Sequence, residues 1–320
     1  MGEMISVIMS AFNESEEELS LSIQSILHQT YGDFEFIIVN DNPENTQLEI
    51  ALEKFAQQDS RIRLLKNEKN IGLAASLNRG IEIAHGEYIA RMDADDISLP
   101  DRFEKQLAFL KKNGLDLISG FTIIIDENGN EAPKEAQTAI YESLDLSEIL
   151  KYGDVIRHPT VMGKTSAFRD VGGYRELVPA EDYDIWLRML SANKRIGCIG
   201  KRVLKYRIRT SSISRQNGYR QFVAARYVKN LYKQRLKDGK DNYTKESYKR
   251  YLEKYHVENP NMLKKYQAVS LHYTQVLESM RKKDILHCVQ SCLLVILGIP
   301  CGFEMLWVGF QQKMIHSRWK

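Results

Sequence analysis

The chain has no cysteine framework. Its four cysteines, Cys198, Cys288, Cys292 and Cys301, form no C-x-x-C pair. That sets aside a disulfide scaffold and a zinc site and suits reduced thiols in a cytosolic compartment. A secretory signal is missing too: Met1-Gly2-Glu3-Met4 has no basic segment, and Glu14 follows soon after. Met1-Gly2 with Ser6 fits a myristoylation pattern, but Ile5–Met9 reads as a first strand and leaves no free arm. The uninterrupted apolar run Cys292–Ile299 falls far short of the ~20 residues that span a bilayer. There are no internal repeats and no low-complexity linkers.

What is present is an ordinary globular composition, 43% hydrophobic and 27% charged over 320 residues. The net charge of +3 hides a division. Residues 201–283 carry 22 Lys/Arg against 6 Asp/Glu and ten of the sixteen tyrosines. Basic residues mixed with Tyr suit an anionic membrane surface, or nucleic acid. The plainer alternative is solvated basic helix faces with Tyr in the core.

Apolar runs and helical patterns alternate from the start. Ile5–Met9 and Phe34–Val39 read as strands, with Ser15 and Glu18 forming a capping box for a helix between them. Arg61–Leu65 is a third strand, Leu73–Ala84 a helix, and Glu87–Met92 a fourth strand. This alternation predicts an α/β fold with a mostly parallel, doubly wound sheet. Ligands of such sheets bind beyond the carboxyl ends of the strands. The loop Ser10–Asn13, Asp41 and the acids Asp93, Asp95 and Asp96 should therefore meet on one sheet edge. Acids this close repel unless a cation neutralises them, and hard divalent cations prefer oxygen ligands. The D-x-D-D thus reads as a metal–diphosphate site, or as a solvated acidic turn before the helix at Pro100. Beyond it, Leu115–Ile125 reads as strands of a second sheet region and Asn128-Gly129-Asn130 as a hairpin turn. His158–Met162 is a further strand candidate, and Lys194–Ile199 and Arg202–Tyr206 read as edge strands. Glu181-Asp182 opens an apolar helix, where acids also complement the macrodipole.

After Ser214 the chain turns to basic, Tyr-rich helices, and Leu286–Phe310 is strongly apolar. Arg281-Lys282-Lys283 precede that tail, and Lys313, Arg318, Trp319 and Lys320 follow it. The pattern predicts a segment lying in a membrane surface, with docking on the protein's own core as the alternative.

Five stretches, SVIMSAFNE, SIQSILHQTYGDFEFIIVND, NIGLAASLNRGIEIAHGEYIARMDADD, VGGY and EDYDIWLRM, occur in this order. Together they resemble an inverting family-2 glycosyltransferase of GT-A fold, of the bacterial surface-polysaccharide type, over roughly residues 4–215. The resemblance implies a Rossmann-like catalytic domain over 1–215 and a helical region over 216–320. It also implies a nucleotide-diphosphate sugar donor, usually a UDP-sugar, with Mn²⁺ or Mg²⁺ as cofactor. Carried over residue by residue, Ala11, Phe12 and Glu14 lie in the loop on the base, and Asp41 resembles the acid that hydrogen-bonds the base. Asn70, Gly72 and Asn78 resemble the nucleotide-side loop and helix. Asp93 and Asp95 match the D-x-D, Asp95 being the metal ligand, and Asp182 resembles the catalytic base. The chain departs from the pattern at Asn40, where an acid is usual, and in YRIRTSSIS, where many members place a His and Arg209 stands nearby. Arg grips a diphosphate but does not ligate a cation. His158, Glu181 and Arg209 are further candidates for phosphate or acceptor contacts, a lone His being more often structural.

The expected reaction is inverting transfer of the sugar to a hydroxyl of a saccharide acceptor, itself lipid-linked, in capsule, O-antigen or related polysaccharide assembly. The expected place is the cytoplasmic face of the cell membrane, with anionic lipid and not nucleic acid as partner. Two other readings compete. A sugar-phosphate nucleotidylyltransferase carries a Gly- and Arg-rich loop after strand one, where this chain has SAFNE. A non-catalytic nucleotide-sugar-binding or scaffold protein would not need the D-x-D and Glu-Asp pair.

Overall fold

The computed structural model describes residues 3–133, 142–208 and 218–318. The chain divides into two compact units. The first comprises residues 1–147, 155–176 and 184–209, and the second 148–154, 177–183 and 210–320.

The first unit is built on one nine-stranded sheet. β1 (Ile5–Ala11) and β2 (Phe34–Asn40) are buried along nearly their whole length, as parallel strands covered on both faces must be. β1 pairs in parallel with β2 and with β4 (Tyr88–Asp93), and β2 pairs in parallel with β3 (Ile62–Lys66). The crossovers are α1 (Glu16–Leu27), α2 (Thr46–Gln58) and α3 (Leu73–Ile83). α1 starts with the expected capping box between Ser15 and Glu18 and buries Leu19, Ile23 and Ile26 against the sheet.

The other half of the sheet is mixed. β5 (Ile97–Ser98) precedes α4 (Arg102–Lys112), and β6 (Leu117–Ile125) then joins the same sheet rather than starting a second one. After β7 (Glu142–Ser143) and α5 (Ser147–Leu150), His158–Thr160 forms a 3₁₀ turn and only Met162–Lys164 is a strand, β8. Pro159, with no N–H to give a ladder, accounts for the turn where a strand was expected. After α6 (Thr165–Asp170) and α7 (Glu181–Ser191), the two expected edge strands are one strand, β9 (Ile196–Arg207). It lies between β6 and β5, parallel to β6, with a register shift near Phe121 that lets it continue past Gly200. The strand order is β3-β2-β1-β4-β8-β6-β9-β5, with β7 on β9. The long pairings are parallel, and the antiparallel ones span two or three residues.

The second unit is helical: α8 (Gly218–Asp238), α9 (Lys245–Lys254), α10 (Pro260–Lys282), α11 (Ile285–Gly298) and α12 (Gly302–Arg318). Its tyrosines follow the plainer reading. Tyr219, Tyr227, Tyr232 and Tyr248 are buried. The Tyr227 ring lies 5.2 Å from that of Tyr248 and 4.8 Å from that of Tyr251, distances typical of packed aromatic pairs. The hydroxyls of Tyr219 and Tyr248 donate to the carbonyls of Tyr255 and Val178, both at 2.8 Å, and the Tyr227 hydroxyl lies 2.6 Å from Ser247 Oγ.

α11 is built inside out. Ser291 and Val295 face inward with the half-buried Cys288 and Cys292, at helical spacing. Ile285, Leu286, Val289, Leu293 and Leu297 face outward, Ile285 and Leu297 about four-fifths exposed at 78% and 81%. Part of the tail thus packs on the protein, through Val269, Val295 and Ile299, and part stays bare. Among the described residues, no helix is long and apolar enough to cross a membrane.

Candidate active site

The parallel register places the ends of the first strands side by side. Ser10 is opposite Asp93, Ala11 opposite Asn40, and Asn40 opposite Lys66. The segments that follow these strands all leave from this one edge, as expected for an open α/β sheet.

Asn42 ties two of them together, donating to the Phe12 carbonyl at 2.9 Å and to Asn13 Oδ1 at 2.8 Å. The departure at Asn40 has a local explanation. Its side-chain oxygen accepts from the Asn42 N–H at 2.9 Å, a turn role an amide fills without adding charge. Ala11 is buried at the end of β1, whereas the Phe12 ring is exposed and Glu14 accepts from the Phe12 N–H at 2.8 Å.

Asp41 is buried and holds the next loop. Its carboxylate accepts from the N–H groups of Ile71 and Gly72 at 2.8 and 2.9 Å and from Asn67 at 2.7 Å. Gly72 has φ +83°, where a side chain would be strained, and begins α3. Asn70 accepts from the Gly72 N–H at 2.9 Å. The Asn78 amide works both ways on Tyr174, donating to its carbonyl at 2.8 Å and accepting from its N–H at 2.7 Å. A Cβ on Gly173 would come within 2.3 Å of Asn78 Oδ1, so this tie requires a glycine there. The bonds of Asn78 thus fasten α3 to the VGGY turn.

The acids Asp93, Asp95 and Asp96 offer oxygens that all lie within 4.8 Å of one another. Asp93 pairs with Arg91, a charged residue buried in β4. Arg207 at the end of β9 clamps the turn, its N–H donating to Asp96 Oδ1 at 2.9 Å and its Nε to the Asp95 carbonyl at 2.9 Å. Asp96 Oδ2 is buried with no hydrogen-bond partner. Burial, with the charges of Asp93 and Asp95, pushes the Asp96 carboxyl well above its ordinary range. Burial and the same acid group raise the Tyr206 hydroxyl to about 12. Three clustered hard oxygen donors, one buried and unsatisfied, fit a divalent cation such as Mg²⁺ or Mn²⁺.

His158 is buried, with Nε2 2.8 Å from the Tyr174 hydroxyl and its ring edge-on to Trp186 at 5.8 Å. Burial, then the charge of Arg91, holds its pKa well below 6.5. It is a neutral packing histidine, outside the acid cluster. Glu181 and Asp182 open α7 and group with the second unit. Asp182 Oδ1 accepts from the Tyr183 N–H at 2.7 Å. Arg209 lies outside the described residues.

Sequence reasoning did not single out Arg91 or Arg207. A charge inside an otherwise apolar strand was the available signal for Arg91. Arg207 lies at the end of a strand, and nothing near it in the sequence points to its bond with Asp96, 111 positions away.

Residues 6–172 match Glycosyl transferase family 2. The chain belongs to this glycosyltransferase family. An uncharacterized glycosyltransferase of Methanocaldococcus jannaschii, MJ1057, is 38% identical over 240 residues, 72% of this chain and 82% of that protein. The Escherichia coli glucosyltransferase WfgD, named as acting on GlcNAc-diphosphoundecaprenol with UDP-Glc, is 33% identical over 215 residues, 66% of this chain and 79% of its own. Among solved structures, S. aureus TarS in complex with UDP-GlcNAc matches with a TM-score of 0.59 and 17% identity, over 94% of this chain and 83% of that one. At that identity the likeness concerns the fold, which is GT-A. The chain is a glycosyltransferase.

Proposed function

We propose that this glycosyltransferase moves a hexose from a UDP-sugar to a hydroxyl of a lipid-linked saccharide, with inversion, in surface-polysaccharide assembly. The observation that carries the reading is the cluster of Asp93, Asp95 and Asp96 at the edge where the nucleotide loops also end. The names of relatives support the donor, acceptor and process, including the E. coli O-antigen glycosyltransferase WbnJ, 36% identical over 213 residues.

Asp93, Asp95 and Asp96 would hold the divalent cation, Asp95 as its principal ligand. Such a cation, when bound, offsets the charge that grows on the departing nucleoside diphosphate. Asp41 keeps the 67–72 loop in place against the nucleotide. Asp182 takes the proton from the acceptor hydroxyl while that oxygen attacks the anomeric carbon from the face opposite the leaving group. One displacement inverts the centre.

The outward row on α11 supports peripheral attachment to a membrane, in line with the basic stretch that precedes it. At about 1.5 Å per residue a helix of this length reaches about 21 Å, short of the ~30 Å hydrocarbon core, so it would lie in the surface.

The test is a transfer assay with a panel of UDP-sugars and polyprenyl-diphosphate saccharides, the product anomer read by NMR. The expected product is a β-linkage from an α-linked donor. A retained anomer, or donor hydrolysis with no transfer to any lipid-linked acceptor, would contradict the proposal.

A further inference from the structure

α10, α11 and α12 line a half-open apolar groove, a cavity of about 370 Å³ whose outer wall, Phe303, Trp307 and Phe310, is exposed. Its walls include Tyr273, Met280, Cys292, Phe303, Trp307 and Phe310. That is within the range of ligand pockets, and more than twice the ~150 Å³ of an apolar cavity that holds benzene. On that scale it accommodates roughly two to three five-carbon units. Lys313 also lines it and is exposed, which gives an otherwise greasy cavity one cation for an anionic headgroup.

The cavity is separate from the outward row of α11. Leu286, Leu293 and Leu297 already offer a face to bilayer chains, and loose lipid needs no shaped hole. A groove walled by three helices suits a chain held in fixed register with the protein. Gly309 and Tyr273, both in its wall, approach closely: a Cβ on Gly309 would meet the Tyr273 hydroxyl at 1.8 Å, so a larger residue there would displace the Tyr273 ring.

We propose that this cavity holds the first isoprenoid units of the lipid-linked acceptor, with Lys313 facing its phosphate. The assignment rests on the lipid-linked acceptor proposed above. Bound this way, the chain makes the acceptor's lipid part of the recognition, so that affinity depends on isoprenoid length up to the cavity's capacity and no further.

Farnesyl phosphate is the probe, added to the full-length protein below its micelle concentration. Two readouts follow binding: fluorescence of Trp307, isolated by difference against Trp307→Phe, and, on the unaltered protein, alkylation of the two half-buried cysteines, Cys288 and Cys292. The expected result is a saturable Trp307 change and at least tenfold slower alkylation of both thiols. Cys292→Phe, which fills the cavity, should weaken binding at least tenfold, while Leu297→Ser on the outward row leaves it unchanged. Equal binding of hexadecyl phosphate would overturn the assignment in favour of bilayer acyl chains. Thiol protection that rises with protein concentration alone would overturn it in favour of a second copy of the chain. No saturable signal would overturn it outright. In the transfer assay, equal acceptor KM for wild type and Cys292→Phe would sink the cavity assignment and leave the acceptor proposal standing. Farnesyl phosphate binding without transfer to any lipid-linked acceptor would remove the acceptor and leave an isoprenoid-phosphate site.

Discussion

The two units depart from the usual distribution of side chains in opposite directions. The sheet unit buries charge: Arg91, Asp96 and Arg102 are nearly inaccessible beside an apolar core. The helical unit exposes grease: α11 turns its leucines outward and its serine and cysteines inward. Taking a charge out of water costs several kcal/mol that its partners must offset, and a contiguous bare apolar face invites association. Under the proposed function, the first marks a place for a charged ligand and the second a face for hydrocarbon.

Substitutions in the two units should therefore fail in different assays. The largest effect is expected at Asp182→Asn, which should lower turnover by about 10²–10⁴-fold with donor affinity near normal. Unchanged kcat would remove Asp182 as the base. Next, Arg91→Met strips Asp93 of its buried partner and should cost about 3 kcal/mol in urea unfolding, the lower end for a broken buried pair because Asp93 is part-exposed. A loss under 1 kcal/mol would mean that the pair does not hold the turn. On the helical side, Leu297→Ser should leave stability within about 0.5 kcal/mol but reduce partition onto anionic vesicles about tenfold, the lower end for one buried leucine. Loss of stability with unchanged partition would reverse the reading of α11.

The smallest effect is a pH dependence. His158 is held neutral in the folded protein, its pKa well below the ordinary 6.5. Below pH 6.5 the unfolded chain takes up a proton that the folded one refuses. Stability should fall as pH drops from 6.5 toward the depressed folded value, by at most about 1.4 kcal/mol per pH unit. His158→Gln should flatten that part of a stability-against-pH curve; an unchanged slope would assign it to other groups.

Much of the sheet unit was legible because its determinants are local. Ser15 and Glu18 are three residues apart, and parallel strands deliver their loops to one edge wherever the helices between them pack. The D-x-D-D could be read for the same reason. What escaped was long-range. Arg207 reaches Asp96 across 111 positions, and Asn78 reaches Tyr174 across 96. No spacing rule encodes such pairs. Pro159 was visible, but its effect on the strand around it depends on which ladder that strand would have joined. The tyrosines of residues 219–255 left two readings open for a different reason: a ring with a hydroxyl suits a membrane interface and a hydrogen-bonded core equally, and only packing decides. α11 was half legible, since its composition announced an apolar helix but not which face would be left bare.

The most direct test of the acid cluster as a metal-dependent nucleotide site is calorimetry of UDP with and without Mn²⁺, on wild type and Asp95→Ala. The account predicts UDP binding that requires Mn²⁺ in the wild type and is lost in the variant. Equal UDP affinity with and without Mn²⁺, unchanged by Asp95→Ala, would contradict it.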